Sequence, residues 1–193
     1  MSNTMKYLSI FSLGIFIIFM FNSCSKKKEE ELKEEQDIII LEYLNSNNLN
    51  ATKSSSGLYY LIKNEGDSKK PNSTSQVRVS YKGYLINGTE FDKSDSTGVV
   101  FKLNQVIEGW TEGIPYFGEG GEGTLFIPSH LGYGSQTKSN IPKNSILIFD
   151  IVLHDVYWMF ITLSKNSYKE LEVEKAFWNV KHYICFLYFT III

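Results

Sequence analysis

The stretch "VRVSYKGYL" constrains the architecture of this chain more than any other. Val77, Val79, Tyr81 and Gly83 alternate with Arg78, Ser80 and Lys82. A period of two places the first set on one face of a strand and the second on the other. Asn87-Gly88 follows, a dipeptide suited to the positive-φ positions of a tight hairpin, and "TEFD" starts the returning strand. "GLYYLIKN", "VVFKL", "GTLFIP" and "SILIFDIVLHDV" read as further strands. "IEGWTEGIPYF" reads as one short helix, ended or kinked where Pro115 lacks an N–H. The expectation is an α+β domain over residues 57–156, with five or so strands and the helix covering one face of an antiparallel sheet.

The flanks read differently. Lys6 precedes "YLSIFSLGIFIIFMF", an apolar run of about 15 residues, where a membrane span needs ~20. Residues 1–23 therefore read as a secretory signal, with an uncleaved anchor helix as the alternative. Phe21-Asn22-Ser23-Cys24 resembles a bacterial lipobox. That resemblance implies cleavage before Cys24 and a lipid on its thiol, so that the protein is anchored to a membrane rather than spanning it. Residues 24–56 then form a charged tether, "SKKKEEELKEEQ", and a helix from about Glu29 to Leu44. Ile38, Leu41, Tyr43 and Leu44 would give that helix its apolar face. The tail, residues 157–193, ends in the apolar "YICFLYFTIII". A second membrane contact, a partner strand and the product of a shifted reading frame all remain open for it.

Charge and cysteine content narrow the function. A formal net charge of −2 offers no field suited to nucleic acid. Cys24 and Cys185 lie at opposite ends, which speaks against a disulfide framework. No Cys/His spacing suggests zinc, and His130, His154 and His182 read as surface or packing residues. "GEGGEG", Gly118 to Gly123, matches a dinucleotide fingerprint literally but follows a helix and precedes a strand, the reverse of what that motif needs. It reads as a flexible turn.

Four motifs in order, "VRVSYKGYLINGTEFDKS", "FKLNQVIEGWTEGI", "IPSHLGYGS" and "IPKNSILIFDIVL", resemble the FK506-binding-protein class of peptidyl-prolyl isomerases. The resemblance covers roughly residues 56–156. It implies a twisted antiparallel sheet wrapped around one short α-helix, with a pocket between them. Carried over by motif, Tyr81, Phe91, Asp92, Trp110 and Tyr133 are the implied catalytic residues, and Phe101, Val106, Ile107, Ile141 and Phe149 the implied substrate-binding ones. Trp110 would form the pocket floor, and Gly109 would keep the hollow above it clear. Tyr133 and the Ile107 N–H would donate to a bound peptide, while Asp92 would orient Tyr81.

The sequence departs from the family at several places. Val99 stands where a second aromatic is common, which predicts a more open wall. Lys93 is the only cation near Asp92, and Lys143 and Phe117 replace commoner residues.

The resemblance implies isomerisation of X–Pro bonds in exported or envelope proteins, with proline-containing polypeptides as partners and no metal or cofactor. Bond rotation needs no nucleophile. The chain would be a monomer, held by lipid facing the periplasm or at the outer-membrane surface. The single small domain also resembles an isomerase lipoprotein of flavobacterial gliding-motility systems. Two other readings stay open: a peptide-holding module that uses the same pocket with little turnover, and a structural lipoprotein without a pocket.

Overall fold

The computed structural model describes residues 27–157. The readings of the signal, of Cys24 and of residues 158–193 lie outside the described residues.

Among the described residues, seven strands form one antiparallel sheet: β1 (Thr52–Lys53), β2 (Tyr59–Asn64), β3 (Gln76–Leu85), β4 (Glu90–Lys93), β5 (Val99–Lys102), β6 (Glu122–Ile127) and β7 (Leu147–Tyr157). Their order is β1-β2-β6-β7-β3-β4, with β5 sharing the β3 edge with β4. The two longest strands, β3 and β7, pair side by side from Gln76–Tyr157 to Leu85–Leu147. On β3 the expected alternation holds: Val77, Val79, Gly83 and Leu85 are buried, while Arg78 and Lys82 face outward. The Asn87-Gly88 turn forms with Gly88 at φ +84° and its N–H donating to the Leu85 carbonyl at 2.8 Å.

Both faces of the sheet are covered. On one face, α2 (Glu108–Gly113) packs over Val79, Leu125, Ile127, Leu147 and Phe149. A 3-10 turn, Ile114–Tyr116, continues it and contains Pro115. Six residues are too few for a helix to persist alone, so packing holds α2 in place.

Two glycines permit that packing. A methyl group on Gly109 would lie 2.5 Å from Ile127 Cγ2, and one on Gly113 would lie 2.7 Å from Leu125 Cδ1. Gly109 therefore serves the helix–strand contact, a correction to its expected role of clearing the pocket.

The opposite face is covered by the first helix, α1, which occupies residues 27–46. Its Ile40 and Leu44 are buried against Tyr59, Phe126, Ile146 and Ile148. The expected apolar face is corrected here. Ile38 and Leu41 point outward, at 57% and 42% exposed, while Gln36, Ile40 and Leu44 point in. Polar contacts fasten the helix as well. The Tyr59 hydroxyl donates to Asp37 at 2.7 Å, Lys53 pairs with Asp37 at 2.6 Å, and Gln36 reaches across to the loop before β7. No helix among the described residues is long and apolar enough to cross a membrane.

The "GEGGEG" segment is packed tightly, contrary to the flexible turn expected of it. Gly118 lies so close to the Asp67 backbone, and Gly123 to the Leu61 carbonyl, that a side chain at either would collide. Glu119 pairs with Lys69 at 2.6 Å and accepts from the Val156 N–H at 2.9 Å. His130 and His154 have the expected packing roles, meeting the Ser56 carbonyl at 2.9 Å and the Ser80 hydroxyl at 2.8 Å.

Candidate active site

Between α2 and the concave face of β3, β4, β5 and β7 lies a cavity of about 680 Å³. The ten residues carried over by motif all line it. β3 brings Tyr81, β4 brings Phe91 and Asp92, β5 brings Phe101, and β7 brings Phe149. Val106, Ile107 and Trp110 come from the turn into α2 and its first residues, and Tyr133 and Ile141 from the loop between β6 and β7. Four further residues line it that the motifs did not single out: Gln105, Lys138, Ser139 and Asn140. Gln105 adjoins Val106, and the other three directly precede Ile141, so their position in the chain was the only available signal. Val99, expected to open a wall, is exposed at the start of β5 and is not part of the lining.

The centre of the site is an aromatic box. The Trp110 ring is 4% exposed and meets Tyr81, Phe101 and Phe149 edge-on, each with a centroid distance of 5.2 Å. Phe91 meets Phe149 the same way at 5.4 Å. Edge-to-face contact sets positive ring edges against negative faces, which fixes orientation as well as burying area. Gly83 makes the box possible: a methyl group there would lie 2.7 Å from Phe91 and 2.8 Å from Phe149. The indole Nε1–H of Trp110 is buried with no hydrogen-bond partner among the described residues.

The polar groups sit at the mouth. The Tyr81 hydroxyl donates to Asp92 at 2.8 Å. Ser94 pins the Tyr81 backbone from both sides, its Oγ accepting from the Tyr81 N–H at 2.9 Å and its N–H donating to the Tyr81 carbonyl at 3.0 Å. Burial, reinforced by the Asp92 carboxylate, pushes the Tyr81 phenol up to about 12. Burial and the same carboxylate also raise Tyr133. Both hydroxyls thus remain protonated donors at neutral pH. Lys93 pairs with Glu90 at 2.8 Å and forms no ion pair with Asp92.

The Ile107 carbonyl accepts from Trp110 and Thr111, while its N–H has no acceptor among the described residues. It is therefore free to meet a ligand carbonyl. The loop carrying Tyr133 and Ile141 is braced by a paired backbone bridge between Lys138 and Ile141, with N···O distances of 3.0 and 2.7 Å. Among the described residues there is no cluster of metal-ligating side chains.

A family profile described as FKBP-type peptidyl-prolyl cis-trans isomerase matches residues 67–154. The FKBP-type isomerase FkpA of Buchnera aphidicola subsp. Schizaphis graminum is 48% identical over 108 residues, which make up 54% of this chain and 43% of that protein. The chain thus spans less than half the length of this curated relative. The crystal structure of FkpA from Escherichia coli is similar with a TM-score of 0.58 and 33% identity, covering 81% of this chain and 73% of that one. The crystal structure of AtFKBP13 is similar with a TM-score of 0.51 and 31% identity, covering 56% of this chain and 99% of that one. By its motifs, its fold and these relatives, the chain belongs to the FKBP-type peptidyl-prolyl cis-trans isomerase family.

Proposed function

We propose that the chain is a peptidyl-prolyl cis-trans isomerase that speeds rotation of X–Pro bonds in exported or envelope polypeptides. The observation that carries this reading is the aromatic box around Trp110, open at one end and ringed there by hydrogen-bond donors.

Rotation about an X–Pro amide crosses a barrier of ~18–20 kcal/mol, because the planar form gains resonance. That resonance places negative charge on the carbonyl oxygen, which water stabilises. A proline ring seated on the Trp110 indole would bring its amide into a cleft walled by Tyr81, Phe91, Phe101 and Phe149. Water is excluded there, so the planar form loses part of its advantage. The Ile107 N–H and the Tyr133 hydroxyl would hold the flanking carbonyls. Asp92 would fix the Tyr81 hydroxyl rather than move a proton, since rotation breaks no bond. Lowering the barrier by about 4 kcal/mol speeds rotation roughly a thousandfold.

The test is isomerisation of a short X–Pro peptide by the wild type and by Trp110→Ala, with circular dichroism as the folding control. Wild-type acceleration that falls at least tenfold in a folded variant supports the reading. A folded wild type that accelerates nothing but binds the peptide would favour the peptide-holding module, which uses the same pocket.

The finer placement rests on sequence. Phe21-Asn22-Ser23-Cys24 supports a lipid anchor on Cys24, and the apolar run before it supports export to the envelope. Metabolic labelling with a fatty acid, lost in Cys24→Ser, would establish the anchor. Absence of label in the wild type would remove it. A part in gliding motility is the narrowest reading and rests on the resemblance alone.

A further inference from the structure

We propose that Lys138 makes this pocket selective for peptides that carry a carboxylate side chain next to the proline. The inference rests on the isomerase reading for its substrate and on Lys138 itself for its selectivity.

Among the described residues, two charged side chains line the cavity, Asp92 and Lys138. They are not equivalent. Asp92 accepts the Tyr81 hydroxyl at 2.8 Å and is committed to that contact. Lys138 forms no ion pair among the described residues. The lysines on the neighbouring strands, Lys82 and Lys93, are both engaged by Glu90, at 3.5 and 2.8 Å. Among the described residues the mouth therefore offers one cation without an ion-pair partner.

Its position is set by the backbone. Lys138 and Ile141 exchange hydrogen bonds across a two-residue turn whose Ser139 has φ +47°. Ile141 is 6% exposed and part of the core cluster, so the turn is tied to the packed interior. From there the Lys138 ammonium lies 5.7 Å from the centre of the Tyr133 ring. A cation over an aromatic face keeps much of its hydration and can still receive an anion. A peptide whose proline sits on Trp110 must pass its neighbouring residues over this rim. Glutamate or aspartate there would meet the ammonium, whereas lysine or arginine would be repelled.

The test uses two peptide series, Ala-Xaa-Pro-Phe and Ala-Ala-Pro-Xaa, with Xaa as Glu, Gln or Lys. The quantity read is the ratio of kcat/KM for Glu over Lys in each series, taking the larger. A charge pair at a partly hydrated rim should give about a threefold to tenfold ratio at low salt, shrinking as ionic strength rises. Lys138→Gln should bring the ratio close to one, and Lys138→Glu should invert it. A ratio unchanged in Lys138→Gln, or a wild-type ratio of one, would overturn the assignment. If none of the peptides is turned over, the isomerase reading fails separately. The same ratio, read as Kd from the change in tryptophan fluorescence on titrating each peptide, still decides the role of Lys138.

Discussion

Tyr81 joins three properties of the site in one side chain: a ring edge against Trp110, a hydroxyl on Asp92, and a phenol pushed up to about 12. Tyr81→Phe keeps the ring and removes the hydroxyl, so it should cost about 1 kcal/mol of stability, the usual net worth of one such bond. Urea unfolding at neutral pH checks this. The pH dependence follows from the direction of the shift. The folded protein holds the Tyr81 proton more tightly than the unfolded chain, whose tyrosines titrate near 10. This contribution is therefore whole below about pH 10 and is lost as pH climbs through about 12. The stability gap between wild type and Tyr81→Phe should narrow across that window. A gap that widens would show that the phenol ionises more readily in the folded state. Turnover should also be flat from about pH 6 to 9, since no group is asked to exchange a proton. A bell-shaped profile would return Asp92 or Tyr133 to acid–base chemistry.

The short helix α2 owes its place to absent side chains. Gly109 and Gly113 stand one turn apart and let the helix settle onto Ile127 and Leu125. Gly109→Ala should cost about 1–3 kcal/mol despite alanine's better helix propensity, because overpacking outweighs it. Gly120→Ala offers a contrast: its φ is +78° with nothing within 4 Å, so only backbone strain of about 1 kcal/mol applies. A smaller loss from Gly109→Ala than from Gly120→Ala in thermal unfolding would contradict this account of α2. These glycines also mark what the sequence could convey. The alternation of "VRVSYKGYL" and the Asn87-Gly88 turn located strands, because period and turn chemistry are local properties, while the ten pocket residues came from the resemblance of four ordered motifs to the family. The contact of Gly109 with Ile127, the packing of "GEGGEG" and the inward face of α1 depend on what lies opposite in space. Gln105, Lys138, Ser139 and Asn140 were missed for the same reason: apart from its neighbours in the chain, a polar residue in a loop carries no sign of the cavity it borders.

α1 reads as part of a charged tether, yet it closes the second face of the sheet and reaches the site through one side chain. Gln36 is 3% exposed, its Oε1 accepting from the Ser129 N–H and its Nε2 donating to the Asn144 carbonyl, both at 2.8 Å. Ser129 and Asn144 bracket the loop that carries Tyr133, Lys138 and Ile141. One amide thus ties both ends of the loop that walls the pocket to a helix on the far side of the sheet. Gln36→Leu keeps the volume and breaks both bonds, leaving the buried Ser129 N–H without its acceptor while the exposed Asn144 carbonyl can turn to water, so about 1–3 kcal/mol of stability should be lost. Peptide affinity should fall with it, and the Ser129 amide should exchange with solvent faster. Lys53→Ala is the control, because it removes the Asp37 ion pair on the same helix without touching the loop. A surface pair of that kind is worth about 0–1 kcal/mol, and peptide affinity should not change. If Gln36→Leu loses stability while the peptide binds as before, α1 is a passive cover for the sheet. If affinity falls in that variant alone, a helix outside the matched residues 67–154 governs the geometry of the pocket.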